Sequence, residues 1–132
     1  MRVMLDTNVL ISMILFPGAQ FTRLLKIITQ QHTLVLSSFV LEELVAVTES
    51  KFPARRDAID QFLSKLSFEL VYTPHKMQGN LFEIRDSADY PVLYTAIVEN
   101  VDVLITGDKD ILTVAVEKPE IMTPAEFLNH FG

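Results

Sequence analysis

The sequence predicts an α/β fold, namely a three-layer α/β/α sandwich around a central, mostly parallel β-sheet. Short apolar runs of strand length alternate with amphipathic runs of helix length along the 132 residues, a pattern typical of such sheets. Two apolar runs, which end before Asp6 and before Gly107, lead directly into polar turns that contain aspartate. Ligands of open α/β sheets bind at the carboxyl ends of the strands, so these turns are the first candidates for a site. The chain length predicts one domain over residues 1–132.

The expected strands and helices follow one another in regular order. A strand at residues 2–5 precedes a short helix from Val9 to Phe16. Amphipathic spacing predicts further helices at residues 19–31, 38–50, 55–66 and 90–100. Compact or alternating apolar runs predict strands at residues 33–37, 67–72, 101–106 and 120–122. A capping-box sequence that begins at Thr123 predicts the start of a terminal helix.

The helix expected at residues 38–50 carries two adjacent glutamates that are not equivalent. At 100° per residue, Val40, Leu44 and Val47 fall on one stripe and are expected to face the core. Glu43 lies on the flank of this stripe, whereas Glu42 points to the opposite side and faces water. A carboxylate turned towards the protein is costly unless it is paired or bound to a cation, so Glu43 is a candidate functional residue.

Charge and composition exclude several classes of protein. The net charge of −6 argues against attachment to nucleic acid through a general basic surface, although it permits a nuclease whose acidic site is neutralised by a cation. The absence of cysteine excludes disulfide bonds and thiolate metal sites. No apolar run approaches the roughly 20 residues of a membrane-spanning helix, and Asp6 interrupts the apolar start where a signal peptide would lie. We therefore expect a cytoplasmic protein with no membrane contact.

Four carboxylates are expected to meet at one edge of the sheet. If the strands that precede Asp6 and Asp108 are parallel, both side chains emerge at the same edge. Glu43 faces inward from the helix after the second strand, and Asp89 starts the helix that leads into the strand before Asp108. Clustered carboxylates repel one another, and a hard divalent cation such as Mg²⁺ or Mn²⁺ removes that cost. Such a cation can activate water for hydrolysis of a phosphate ester, so no side-chain nucleophile is needed.

Each acidic residue also has a structural interpretation. Asp6 and Asp89 each occupy a position at which aspartate can cap the following helix. Asp108 and Asp110 lie in the turn Thr-Gly-Asp-Lys-Asp, where aspartate is common. Glu43 can instead form an ion pair. Its candidate partners are Arg2, Arg23 and Lys26.

Four motifs follow one another along the chain. They are Leu-Asp-Thr-Asn-Val-Leu at residues 5–10, Glu-Leu at residues 43–44, Arg-Asp-Ser-Ala-Asp at residues 85–89, and Leu-Ile-Thr-Gly-Asp-Lys-Asp-Ile-Leu at residues 104–112. In this order and spacing, they resemble the motifs of the PIN-domain nucleases. The resemblance covers essentially the whole chain and is greatest to the branch of ribonuclease toxins from toxin–antitoxin systems.

The resemblance implies a metal-dependent ribonuclease that hydrolyses RNA at an acidic Mg²⁺ or Mn²⁺ site. Asp6, Glu43, Asp89 and Asp108 would be the catalytic carboxylates, and all of these except Glu43 would hold the metal. The residues implied to orient ligands or water, or to act as auxiliary acids, are Asn8, Ser38, Asp86, Thr106 and Asp110. The family further implies a homodimer or higher oligomer and, for a toxin, an antitoxin protein whose tail covers the site.

The sequence departs from the family's pattern just before the helix at residues 90–100. Relatives usually carry a denser acidic run there, whereas this chain has Asp-Ser-Ala-Asp-Tyr-Pro at residues 86–91. Asp89 is aligned with the third acid of the family because Leu93, four residues later, matches an apolar position. Proline is tolerated only in the first turn of a helix. If Pro91 displaces that turn, Asp86 replaces Asp89 as the third acid.

Two other classes of function are compatible with these residues. A catalytically inactive PIN-like module would keep the fold and bind RNA or protein. Phosphotransfer through an aspartyl-phosphate at Asp6 would favour a second acid two residues later, and the presence of Asn8 counts against it. Arg85, beside the acidic edge, is expected either to contact a substrate phosphate or to pair with Asp86.

Overall fold

Five short strands form one parallel sheet in a computed structural model that describes residues 1–132. The strands are β1 (Arg2–Leu5), β2 (Thr33–Ser37), β3 (Glu69–Val71), β4 (Val103–Ile105) and β5 (Glu120–Met122). Their order across the sheet is β3-β2-β1-β4-β5, and every neighbouring pair is parallel. The central strand β1 is buried on both faces, with Val3, Met4 and Leu5 fully enclosed. The expected α/β class is confirmed, and its sheet is wholly parallel.

Seven helices cover the sheet. They are α1 (Thr7–Leu15), α2 (Ala19–Gln31), α3 (Ser38–Lys51), α4 (Arg56–Lys65), α5 (Tyr90–Val98), α6 (Lys109–Leu112) and α7 (Pro124–Phe131). Two short 3₁₀ turns, Pro53–Arg55 and Ser87–Asp89, precede α4 and α5. Helix α2 packs against α7, whereas α1 packs against α3 and α4.

The observed elements differ from the expected ones mainly at their ends. Helix α1 begins at Thr7, two residues earlier than expected, because the Asp6 carboxylate accepts the Thr7 N–H. Strand β3 covers three residues, since only those opposite Val35–Ser37 of β2 find a pairing partner. Strand β4 is likewise limited to Val103–Ile105. The expected helix at residues 55–66 is shortened by one residue at each end.

The buried stripe of α3 differs from the expected one at its third member. Val40, Leu44 and Thr48 are buried, whereas Val47 is only partly buried. The Thr48 hydroxyl donates to the Leu44 carbonyl oxygen at 2.6 Å, which satisfies its polar group inside the helix. The buried residues of α3 are therefore spaced four residues apart, whereas the expected stripe combined one spacing of four residues with one of three. Glu43 remains on the flank of the stripe.

The strand order creates a crevice between the carboxyl ends of β1 and β4. The chain leaves β1 towards β2 on one side and leaves β4 towards β5 on the other side. Ligands of open parallel sheets bind at such a reversal of direction. Leu5 lies opposite Ile105, and the Asp6 N–H donates to the Ile105 carbonyl oxygen at 3.0 Å. Asp6 and Thr106 are consequently neighbours at the crevice.

No single helix is both long and apolar enough to cross a membrane. Helices α1 and α2 meet the length and composition criteria only as a pair bent by 115°, and both contribute buried side chains to the core.

The capping box of α7 provides a test of the local structure. The Thr123 hydroxyl accepts the Glu126 N–H at 3.1 Å, and the Glu126 carboxylate accepts the Thr123 N–H at 3.0 Å. We expect Thr123→Ala to lower the free energy of unfolding by about 1 kcal/mol because a helix-terminal N–H loses its acceptor. Thr123→Ser keeps the hydroxyl and is the control in urea unfolding. An equal loss in both variants would contradict the role of this hydrogen bond.

Candidate metal centre

Asp6 occupies the carboxyl end of β1 and is 5% exposed. One carboxylate oxygen accepts the Thr7 N–H at 2.7 Å, and the other accepts the Thr106 hydroxyl at 2.7 Å. Asp6 is therefore the N-cap of α1, and its second oxygen faces the end of β4. Burial raises the pKa of Asp6, the two hydrogen bonds oppose this, and the charges of Glu43 and Asp108 raise the pKa further.

Thr106 connects the two strand ends. Its hydroxyl donates to Asp6 and accepts the backbone N–H of Asp108 at 3.0 Å. The Asp108 carboxylate in turn accepts the N–H groups of Asp110 and Ile111, at 2.8 and 3.4 Å, and so caps α6. The expected turn role of Asp108 is thus present, and its backbone is held at a fixed distance from Asp6.

Asp89 has the most strongly shifted pKa in the cluster. Its pKa is raised from 3.8 to about 7, first by burial and then by the charges of Asp108 and Asp86. The closeness of the Asp108 carboxyl and the charge of Asp6 raise the pKa further. Asp89 Oδ2 is buried and has no hydrogen-bond partner. Asp6, Asp89 and Asp108 therefore act on one another electrostatically, as the sequence predicts for one edge of the sheet.

The turn before α5 shows how Asp89 reaches this position. Asp86 caps the turn by accepting the Ala88 N–H at 3.0 Å, whereas the Asp89 side chain makes no capping hydrogen bond. The interpretation of Asp89 as a side-chain helix cap is therefore wrong. Pro91 lies in the first turn of α5, where its missing N–H costs nothing, and the helix starts at Tyr90 without displacement.

A second group of carboxylates shares Asp89. Single oxygens of Asp86, Asp89 and Asp110 lie within 4.8 Å of one another. Arg85 pairs with Asp110, with its Nε 3.1 Å from Asp110 Oδ1. The expected alternative, a pair between Arg85 and Asp86, is wrong. Of the three predicted metal ligands, this group contains only Asp89, and its other two members were predicted as auxiliary acids.

Glu43 faces the cluster without any ion pair of its own. It is half-buried on α3, and its charge contributes to the raised pKa of Asp6. The expected alternative of an ion pair with Arg2 is wrong, because Arg2 pairs with Glu69 at 2.8 Å. Arg23 and Lys26 form no ion pair either. Glu42 is exposed, as the helical spacing predicts.

Two residues implied to orient ligands do not contact the carboxylates. Asn8 is exposed in the first turn of α1, and its amide makes no hydrogen bond within the protein. The Ser38 hydroxyl accepts the Thr73 N–H at 2.9 Å and lines a groove of about 650 Å³ between α3 and the loop after β3. Ser37, and not Ser38, caps α3 by accepting the Val40 N–H.

Sequence reasoning missed Thr7, whose backbone N–H donates to Asp6 and whose hydroxyl is buried. Thr7 is 1% exposed, and its Oγ1 has no hydrogen-bond partner. A threonine in the first turn of a helix is common, so its position in the sequence carried no signal that would have singled it out.

Sequence reasoning also missed the contacts that hold the loop before α5. The Tyr94 hydroxyl accepts the Gln78 N–H at 3.1 Å, and the Tyr90 hydroxyl donates to the Gln78 carbonyl oxygen. The Phe82 ring stacks on Tyr90 with centroids 4.3 Å apart. In the sequence, the two tyrosines occupy ordinary apolar positions of a helix. In the structure, they anchor the segment that carries Arg85 and the Asp86 cap.

The donor set fits a hard divalent cation. All candidate ligands are carboxylates, which Mg²⁺ and Mn²⁺ prefer. The buried, unpartnered Oδ2 of Asp89 is available to a cation. Burial, with a further contribution from neighbouring carboxylates, raises the pKa of Asp6 and of Asp89, and a bound cation would offset both effects. Arg85 is the one basic side chain paired with this cluster, and it contacts only Asp110.

Comparison with known proteins identifies the family. The model of the PIN domain matches residues 2–110, which is most of the chain. The chain belongs to the PIN-domain family. Proteins of this family are nucleases. A search of curated protein sequences gives no significant match.

The PIN domain also resembles a solved structure over nearly its full length. A chain of the crystal structure of VapBC2 from Rickettsia felis, bound to a DNA fragment from their promoter, superposes with a TM-score of 0.69. The sequence identity is 26%, and the match covers 92% of this chain and 97% of that chain. This PIN domain therefore resembles a chain of VapBC2 in both fold and extent.

Thr106 provides a test of how the PIN domain holds Asp6. We expect Thr106→Val to lower the free energy of unfolding by about 2 kcal/mol, because the buried Asp6 carboxylate loses a hydroxyl donor. Thr106→Ser keeps the donor and should lose less. Urea unfolding in EDTA, followed by circular dichroism, measures the difference. If Thr106→Val loses no stability, the hydrogen bond to Asp6 does not stabilise the fold.

The raised pKa of Asp89 predicts how stability depends on pH without metal. The folded protein binds the Asp89 proton more tightly than the unfolded chain does. The stability that protonated Asp89 contributes is therefore lost as pH rises from 3.8 through about 7. In EDTA at pH 8, we expect Asp89→Asn to stabilise the PIN domain on the order of 1 kcal/mol, allowing for solvent screening. At pH 5 the gain should nearly vanish.

Thermal unfolding at the two pH values measures this effect. Glu117→Gln, which neutralises an exposed loop carboxylate, is the control for net charge. The same shift in Tm for Asp89→Asn at both pH values would show that Asp89 does not titrate in this range.

Proposed function

We propose that this chain is a divalent-metal-dependent endoribonuclease and the toxin of a toxin–antitoxin pair. The observation that carries the proposal is the buried, unpartnered oxygen of Asp89, which lies among like charges at the crevice between β1 and β4. A single carboxylate in this state is destabilising, and a bound cation would relieve it. The membership of the PIN-domain family supports a nuclease, and the likeness to VapBC2 supports the toxin assignment.

The proposed metal ligands are Asp6, Asp89 and Asp108, and the ion is Mg²⁺ or Mn²⁺. Asp86 and Asp110 extend the acidic surface beside Asp89 and are proposed as auxiliary acids. When bound, the ion lowers the pKa of a water molecule and stabilises the charge that develops on the phosphate.

Glu43 is proposed to act on the attacking water. It lies close enough to Asp6 to raise the pKa of that carboxyl, and no cation of the protein neutralises it. As the water oxygen attacks phosphorus and the phosphorus–oxygen bond of the leaving strand breaks, Glu43 accepts the proton of the water. Thr106 holds Asp6 and Asp108 at their spacing during this step.

The proposed partners follow from the toxin assignment. The chain would bind an antitoxin protein, because the solved structure that it resembles is that of VapBC2. We also propose a homodimer or higher oligomer that acts on RNA in the cytoplasm. Residues 1–132 would act as one domain, since a single cluster of buried side chains draws on all five strands and on both ends of the chain.

The two adjacent glutamates of α3 provide a matched pair for testing catalysis. With a labelled single-stranded RNA and Mn²⁺, we expect Glu43→Gln to lower kcat by about 100-fold or more, because the proton acceptor is lost. Glu42→Gln removes the same charge from an exposed position and should leave kcat unchanged. Asp6→Asn should abolish the cleavage that depends on Mn²⁺.

The same measurements can contradict the proposal. Cleavage by Asp6→Asn at the rate of the parent protein would exclude the proposed metal site. If the folded parent protein neither binds Mn²⁺ nor cleaves RNA, the chain is an inactive PIN-like module that binds RNA or protein.

A further inference from the structure

Arg85 contacts both oxygens of one carboxylate in the acidic cluster. Its Nε lies 3.1 Å from Asp110 Oδ1, and its Nη2 lies 3.4 Å from Asp110 Oδ2. An oxygen of Asp110 also lies within 4.8 Å of ligand oxygens of Asp86 and Asp89. The guanidinium therefore occupies oxygens that border the proposed metal position.

The side chain of Arg85 is weakly held, whereas its backbone is anchored. The side chain is 87% exposed, and its contacts with Asp110 are its only polar contacts. Exposed ion pairs of this kind are weak. On either side of Arg85, Phe82 stacks on Tyr90 and Asp86 caps the turn before α5. The guanidinium can therefore swing away from Asp110 while its backbone stays at the rim of the cluster.

A divalent cation at the proposed site would weaken the ion pair between the guanidinium and Asp110. Both are positively charged and both would lie in one acidic cluster, because Asp110 borders Asp89, so binding of one weakens binding of the other. Building on the nuclease function above, we propose that Arg85 is a substrate-binding residue that exchanges Asp110 for an RNA phosphate when the metal binds.

The chemistry of arginine suits this exchange. A guanidinium binds phosphate oxygens with the same parallel pair of hydrogen bonds that it forms with a carboxylate. Arg85 immediately precedes Asp86, so the released side chain remains beside the position of the scissile phosphate. The exchange couples the two events, since metal binding increases the fraction of Arg85 side chains that are free to bind phosphate.

The first test measures Mn²⁺ affinity in the absence of RNA. Electron paramagnetic resonance of free Mn²⁺ gives the dissociation constant for the parent protein and for Arg85→Gln. We expect Arg85→Gln to bind Mn²⁺ about two- to fivefold more tightly, because the competing ion pair is gone. Lys109→Gln removes an equal charge next to Asp110, but Lys109 is exposed and forms no ion pair. Its effect should therefore be clearly smaller.

The second test measures RNA cleavage at saturating Mn²⁺. We expect Arg85→Gln to raise KM about tenfold, with a smaller effect on kcat, because a charge-assisted contact with phosphate is lost. Arg85→Lys keeps the charge without the planar fork and should recover part of the loss. Tighter metal binding combined with weaker substrate binding is a signature that a purely structural residue does not produce.

The outcomes separate this inference from the proposed function. If Arg85→Gln binds Mn²⁺ no more tightly than the parent protein, while the parent binds Mn²⁺ and cleaves RNA, the exchange is wrong and the nuclease assignment stands. If the parent protein neither binds Mn²⁺ nor cleaves RNA, both are wrong. Circular dichroism and Tm identify any variant that fails to fold, and Arg85→Ala, which also removes the ion pair, then takes the place of Arg85→Gln in the metal titration.

Discussion

Repulsion among carboxylates is the constraint on which the rest of the structure depends. Burial raises the pKa of Asp6 and of Asp89, the charge of Asp108 raises both further, and Asp89 leaves a buried oxygen without a partner. Such a cluster persists only if the surrounding fold holds it in place. The buried parallel sheet does so, because pairing of residues 3–5 with residues 103–105 fixes the ends of β1 and β4. Natural proteins accept such local conflict mainly at functional sites.

The cluster is held by two different means. Asp6 and Asp108 are fixed by strand pairing and by the shared Thr106 hydroxyl. Asp86 and Asp89 are fixed by a short turn, and the preceding loop is tied to α5 by the hydroxyls of Tyr90 and Tyr94. The turn that carries Asp86 and Asp89 depends on fewer backbone hydrogen bonds than the strand ends do. It is therefore the part of the cluster more able to move when a cation binds.

The sequence predicted much of the fold because its apolar runs have clear lengths and periods. Strand ends were less predictable, since the length of β3 depends on which residues of β2 lie opposite it. The convergence of carboxylates followed from topology alone, as Asp6 and Asp108 end adjacent parallel strands. Contacts such as Arg85 with Asp110 were not predictable, because a long exposed side chain reaches several acids from the same backbone position.

Cap and ligand also proved to be compatible roles for one side chain. Asp6 accepts the Thr7 N–H with one oxygen and faces the end of β4 with the other. A carboxylate has enough lone pairs to serve both the helix and a site. Local sequence rules treat such roles as alternatives, and only the three-dimensional arrangement shows that they coexist.

The hydrogen bond between Asp6 and Thr106 has a consequence for synthesis of the chain. It joins residues 100 positions apart, so the cluster exists only after β4 has left the ribosome and paired with β1. An incomplete nascent chain has the first acid but none of the geometry around it. For an enzyme whose proposed substrate is RNA, late assembly would protect the translating message and ribosome from the protein that they are producing.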